Sequence, residues 1–165
     1  MINFEPMTAD PVPLRQAFAC FPSGVTSVGA VVDGAPVGMA ASSFTSVSLD
    51  PPLVSVCFQN SSTTWPRLRE HGRLGISVLA EGHDEICRAI SSRSPDRFED
   101  IEWDVSPGGG LFVHDAAAWL DVVFDSEVPA GDHTIALLSI DGLQINSDTA
   151  PLVFHGSRFR RLATL

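Results

Sequence analysis

Apolar and polar positions alternate along much of this chain in short stretches, and a period of two predicts strands. Ala118, Leu120, Val122 and Phe124 alternate with Asp121 and Asp125. Thr134 to Ile140 is again rich in β-formers, and Pro129-Ala130-Gly131-Asp132 lies between the two runs, so together they read as an antiparallel hairpin. Val25 to Val32 is short and β-branched, and Asp33-Gly34 is a hairpin turn leading to a second strand from near Pro36. Leu53 to Phe58, after Asp50-Pro51-Pro52, is a near-continuous apolar run expected of a strand buried in a barrel or sandwich. Leu74 to Leu79 and Pro151 to Phe159 read as further strands, and the glycines at 108–110 as a turn.

Helical spacing is confined to three short segments. Asp10-Pro11 starts the first, with Leu14, Phe18 and Phe21 on one face and Pro22 and Gly24 ending it. Ser61-Ser62-Thr63-Thr64 precedes a second, Trp65-Pro66-Arg67-Leu68-Arg69, which Gly72 closes. The third runs from about Asp84 to Ile90, where Ile86, Ala89 and Ile90 share a face, and Ser91 to Asp100 follows as a polar loop. Six or more strands with a few short helices predict a mainly β fold, a closed or split antiparallel β-barrel in preference to a parallel α/β sheet. No repeat or linker divides the sequence, so residues 1–165 read as a single domain with 1–12 as an N-terminal extension.

Composition narrows the chemistry. With 44% hydrophobic and 18% charged residues, the 165-residue chain can bury a core without disulfides or metal. Its formal charge of -10 would repel a phosphate backbone, which excludes nucleic acid as a partner. Every basic residue is arginine, so there is neither a P-loop lysine nor a Schiff-base lysine, and a phosphate must be held by arginine, hydroxyls or backbone N–H groups. Cys20, Cys57 and Cys87 suit neither a disulfide framework nor a zinc site and are expected as reduced thiols, with Cys57 a small buried apolar residue. His71, His83 and His114 lack paired ligand spacing, so no metal is expected, and Trp65, Trp103 and Trp119 read as core or interface. The N-terminus lacks the basic start and apolar run of a signal peptide, and no membrane-length apolar run occurs, which predicts a cytoplasmic protein with no membrane association.

Two polar clusters are candidate binding elements. In Gly38-Met39-Ala40-Ala41-Ser42-Ser43-Phe44-Thr45-Ser46, small residues let backbone approach a flat ring, and the hydroxyls can bond its polar edge. The same hydroxyls could instead satisfy nearby backbone in a strand and turn. Gln59-Asn60-Ser61-Ser62-Thr63-Thr64 lies between a strand and a helix start, where unpaired N–H groups favour an anion, or where Ser and Thr simply cap the helix.

Several motifs, in order, resemble the short-chain flavin reductases that serve two-component flavin-dependent monooxygenases. They are Phe21-Pro22-Ser23-Gly24-Val25-Thr26, the stretch from Gly38 to Ser48, Leu49-Asp50-Pro51-Pro52-Leu53-Val54, and Ser61-Ser62-Thr63-Thr64-Trp65-Pro66. Asp96-Arg97-Phe98, Gly131-Asp132-His133-Thr134 and Pro151-Leu152-Val153-Phe154-His155 follow, so the resemblance covers residues 14–162.

The resemblance implies an FMN-binding split barrel, a homodimer, in which NADH or NADPH reduces FMN or FAD for a monooxygenase that receives reduced flavin by diffusion. By position it implies that Met39, Ala41, Ser42, Ser43, Phe44 and Thr45 border the isoalloxazine ring. Gln59, Asn60, Ser61, Ser62 and Thr64 would lie along the ribityl chain and phosphate, with Arg67 or Arg97 as cations that sequence does not rank. His133 would lie on the nicotinamide side as a positioning group, and His155 and Phe159 either shape that groove or fill a barrel or dimer interface. Because hydride passes directly between cofactors, no catalytic acid or base is expected. Two other readings are a pyridoxamine phosphate oxidase, disfavoured by the missing lysine, and a non-catalytic flavin- or haem-binding split-barrel protein.

Overall fold

The computed structural model describes residues 1–163. In chain order the elements are α1 (Val12–Ala19), β1 (Ser23–Gly24), β2 (Thr26–Val32), β3 (Ala35–Ala41), β4 (Thr45–Leu49), β5 (Pro52–Gln59), α2 (Trp65–His71), β6 (Arg73–Val78) and α3 (Asp84–Ser91). Then come β7 (Trp103–Val105), β8 (Leu111–Val113), β9 (Ala118–Ala130), β10 (His133–Ile145), β11 (Val153–His155) and β12 (Arg158–Arg160). Seven strands form one antiparallel sheet in the order β3-β2-β6-β9-β10-β5-β4.

Topology forces that sheet to curl. Laid flat, seven strands would hold the two edge strands about 29 Å apart. Yet β3 and β4 are consecutive in the chain, and the link from Ala41 to Thr45 spans at most about 14 Å. The edges therefore turn toward each other, and β2, β3, β5, β6, β9 and β10 all contribute to one core around Val28, Val37, Val56, Leu74, Val122 and Leu138. The barrel stays split where β5 runs on past its last pair with β4, Thr45–Ser55, and there the hydroxyl of Ser43, in the β3–β4 link, bridges the seam to β5. Its Oγ accepts the Cys57 N–H at 2.9 Å and donates to the Cys57 carbonyl at 3.1 Å.

Local chemistry explains the elements. Asp33 and Gly34 both adopt positive φ, 53° and 80°, the backbone that a tight two-residue hairpin between β2 and β3 requires. Gly72 ends α2 in the left-handed conformation, and its N–H bonds the Leu68 carbonyl. α2 closes one end of the barrel with Trp65 and Leu68, and the Trp65 ring stacks on Phe58 at 4.0 Å. A second cluster, with Leu79, Ile90, Phe98, Leu111 and Leu152, covers the outer side of the β2 and β6 region. Val28 and Ser27 on adjacent positions of β2 are accordingly both fully buried.

Two expectations need correction, and two others are extended. Leu53 to Phe58 does not lie wholly in the core: Val54, Val56 and Phe58 point inward, while Leu53, Ser55 and Cys57 are half-buried on the other face. Pro151 to Phe159 is not one strand but β11 and β12, joined by a turn at Gly156 and Ser157, both at φ 59°. The glycines at 108–110 are the turn of an unforeseen hairpin, β7 and β8, whose strands are too short to show a period. Finally, α1 forms as predicted but buries none of its residues: Phe18 is 67% exposed, and Phe21 just beyond it 79%.

Candidate functional site

A cleft of about 720 Å³ opens at the split of the barrel. Its first wall is the end of β3 and the link after it, Met39 to Ser43, facing Cys57 and Gln59 at the end of β5. The turn Ser61–Thr64 forms one end, and His133, at the start of β10, borders it from the tip of the β9–β10 hairpin. The second wall is the C-terminal end of α3 and the loop after it, contributing Ile90, Ser91, Ser92, Arg93 and Arg97. Among the described residues, none that lines the cleft carries a carboxylate. In a chain of net charge -10, this is a local site that favours an anion.

The hydroxyls of the first wall divide into two groups. Ser43 is engaged across the barrel seam as described. The Ser62 hydroxyl accepts the N–H groups of Thr64 and Trp65 at 3.3 and 3.1 Å, which commits it to the turn that leads into α2, whose N-cap residue is Thr64. Ser42, Ser61, Thr63 and Thr64 also line the cleft, and among the described residues their hydroxyls have no protein hydrogen-bond partner.

The arginines divide in the same way. Arg97 donates from Nε to the Ser94 carbonyl at 3.2 Å, and from one terminal nitrogen to the carbonyls of Gly38 and Ile90 at 3.3 Å each. It ties α3 to β3 and closes one side of the cleft. Arg93 lines the cleft and has no carboxylate partner among the described residues. Sequence reading passed over it because Ser91 to Asp100 shows no periodicity; its signal was an arginine beside two serines in a loop after a short amphipathic helix. Arg67, the other sequence candidate, does not line the cleft.

His133 sits opposite Gln59 in the β10–β5 pairing, and its Nδ1 lies 2.7 Å from a carboxylate oxygen of Asp132. That hydrogen bond, with the attraction of the imidazole, holds the fully exposed Asp132 carboxyl below the ordinary carboxylate range. With Nδ1 engaged, Nε2 is left for a second partner.

Besides Arg67, five of the sequence-predicted site residues lie outside this cleft. Phe44 packs against the barrel core. Thr45 is an exposed position on β4, opposite Ser55. Asn60 bonds the turn of the β9–β10 hairpin through its side chain. His155 lines a separate groove with Val12, Arg15 and Cys20 of the α1 region. Phe159 borders an adjoining apolar hollow of about 230 Å³ that shares Ala40, Ala41, Ser42 and Ser91 with the cleft. Its ring meets Phe154 edge-on at 5.5 Å, and the Arg88 guanidinium lies 5.1 Å from its centre. Cys57, expected to be buried, instead lines the cleft, because the strand alternation turns it outward.

A split antiparallel barrel whose seam cleft is lined, among the described residues, by hydroxyls and arginines can take a flat, anionic ring, and sequence comparison says which family builds it. Residues 18–163 match the flavin reductase like domain, and the chain belongs to that family. A flavin reductase of Pseudomonas putida is 34% identical over 157 residues, covering 94% of this chain and 92% of that protein. An NADH-dependent FAD reductase of Streptomyces globisporus is 38% identical over 163 residues, covering 93% and 87%. Among solved structures, the Streptomyces globisporus NADH:FAD oxidoreductase SgcE6, in complex with NAD and FAD fragments, superposes with a TM-score of 0.88 at 35% identity, covering 96% of this chain and 98% of that one. No described helix is long and apolar enough to cross a membrane.

Proposed function

We propose that this flavin reductase uses the seam cleft to bring a flavin, FMN or FAD, against a reduced nicotinamide, NADH or NADPH, and supplies the reduced flavin to a separate monooxygenase. The carrying observation is the cleft itself: about 720 Å³, within the ordinary range for cofactor sites, with a small-residue wall, free hydroxyls and, among the described residues, no acidic lining residue. That donor set fits a planar ring bearing a phosphate. The hydride donor is supported by the SgcE6 structure, which holds NAD and FAD fragments. A partner oxygenase is supported by the flavin-dependent monooxygenase reductase subunit HsaB of Rhodococcus jostii, 34% identical over 150 residues, covering 91% of this chain and 77% of that one.

When bound, the flavin supplies the redox chemistry by accepting hydride. The residues of this chain hold and orient. Met39, Ala41 and Ser42 offer a low wall against which a ring can lie flat, and Gln59 offers amide groups to its polar edge. Ser61, Thr64 and Arg93 hold the phosphate, with the guanidinium as the charge-assisted donor. His133 presents Nε2 to the nicotinamide amide and fixes its approach, so proximity, not proton transfer, is the contribution of the protein.

In this reading residues 1–165 act as one flavin reductase-like unit in the cytoplasm, with no nucleic acid and no membrane, and as a homodimer. Surface area supports the dimer. A folded monomer of 17.6 kDa ordinarily exposes about 7,900 Å², whereas this chain exposes 10459 Å². Part of the excess is the segment 1–11, exposed throughout; the bare apolar face of Val12, Phe18 and Phe21 is the part that a second copy would cover.

Mixing the protein anaerobically with NADH or NADPH and excess FMN or FAD tests the activity. Bleaching of the yellow flavin absorbance at a rate proportional to protein is expected. Flavin binding without any consumption of either nicotinamide would make the protein a carrier and defeat the reading.

A further inference from the structure

Asn60 follows the last residue of β5, where the resemblance placed a flavin ligand. Its side chain is engaged elsewhere. Its Nδ2 donates to the Gly131 carbonyl at 3.2 Å, and its Oδ1 accepts the Thr134 hydroxyl at 3.0 Å. Its backbone N–H donates to the Asp132 carbonyl at 2.9 Å. These three bonds reach Gly131, Asp132 and Thr134, the residues on either side of His133, while Asn60 is not among the cleft-lining residues.

We propose that Asn60 is a positioning residue for His133: it fastens the β9–β10 turn to the end of β5 and so fixes where the His133 ring stands at the cleft, without touching flavin. This rests on the function proposed above. The physical reason is the exposure of the turn. Ala130, Gly131 and Asp132 are all exposed and Gly131 adopts a φ of 67°, so apolar packing does little to hold the turn. Beyond it the β10–β5 ladder starts at the His133–Gln59 pair, the last rung before the hairpin tip. Side-chain bonds from Asn60 extend the attachment past that rung. The Asp132 carboxylate bonded to His133 Nδ1 then sets the ring orientation, so that Asn60 fixes the turn and Asp132 the imidazole.

The test uses the full-length protein with Asn60→Ala, Thr134→Val, His133→Ala and the Asn60→Ala/His133→Ala double variant. Asn60→Ala keeps the backbone bond to Asp132 and removes the two side-chain bonds; Thr134→Val removes one of them from the other side. Amide hydrogen exchange without cofactors should quicken in the turn segment 130–134 in both single variants and stay unchanged in β2 and β6. Flavin affinity, read by fluorescence quenching on titration with FMN and FAD, should be unchanged. KM for NADH should rise about tenfold in Asn60→Ala, and Asn60→Ala should add nothing in the His133→Ala background, since two residues acting as one unit are not additive. Flavin affinity falling in Asn60→Ala but not in Thr134→Val would overturn the proposal and make Asn60 a ligand. Unchanged exchange in the turn would overturn it as well. If His133→Ala leaves nicotinamide kinetics untouched while exchange still quickens, the clamp stands and the role given to His133 falls.

Discussion

The two walls of the cleft are built from similar residue types and do different work. On the β3–β5 wall, the most conspicuous hydroxyls belong to the fold: Ser43 bridges the barrel seam and Ser62 holds the turn that leads into α2. On the α3 wall, two arginines four positions apart divide the labour, Arg97 holding three carbonyls and Arg93 facing the cleft. A polar residue beside a cleft is therefore available to a ligand only through the groups that the fold leaves unengaged. Counting hydroxyls and arginines does not separate the two kinds; the hydrogen-bond partners do.

The largest effect that would sharpen this contrast is on stability. Arg97→Ala should lose about 3 kcal/mol, because the carbonyls of Gly38 and Ile90 lose a charged donor and α3 loses its tie to β3. Urea unfolding should show the shift in midpoint, and an unchanged midpoint would remove Arg97 from the fold. Ser43→Ala comes next, at about 2 kcal/mol, since the Cys57 N–H is left without its acceptor in a part-buried seam. Ser43→Thr, which keeps the hydroxyl, should recover part of it.

Arg93→Ala should leave the unfolding midpoint within about 0.5 kcal/mol of the parent. It should weaken FMN affinity about tenfold, the loss of a charge-assisted donor to phosphate. Riboflavin, which lacks the phosphate, should bind both proteins equally. Should Arg93→Ala unfold the protein while Arg97→Ala weakens only flavin, the assignments would be reversed.

The smallest effect concerns pH. His83 precedes α3, and its Nδ1 accepts the Ala80 N–H at 3.2 Å, which requires an unprotonated Nδ1. Burial lowers its pKa below the ordinary 6.5, and Asp115 opposes that shift. A base with a lowered folded-state pKa is protonated more readily in the unfolded chain, so stability rises with pH. The contribution is complete above about 6.5 and is lost as pH falls below that value. Urea midpoints should drop between about pH 7.5 and pH 5.5, and His83→Gln should flatten the slope.

The hairpins were legible because their signals are local. Asp33-Gly34 requires a backbone that few residue pairs adopt, and the alternation from Ala118 to Phe124 exposes one face and buries the other. Ordered motifs placed Met39 to Ser43, Ser61 to Thr64 and His133 near one another, and the structure brings them into one cleft. Arg93 was not legible, since its position follows from where α3 docks on β3, a contact between residues far apart in sequence. Phe44 and Thr45 entered the candidate set with the motif stretch Met39 to Thr45, although the chain turns away from the cleft immediately after Ser43.

By itself the sequence determined a mainly β molecule, arginine as the only strong cation available to a phosphate, and membership of a flavin-reducing family. Those properties depend on composition, local backbone preference and motif order. Which hydroxyl, which arginine and which face of α1 remain available depended on tertiary structure. A hydrogen-bonding group can be committed only once, and its partner is commonly supplied by a strand or turn many residues away. The curl of the seven-stranded sheet makes those commitments: it brings Ser43 to Cys57, Arg97 to Gly38 and Asn60 to Gly131, and leaves Arg93 beside the cleft.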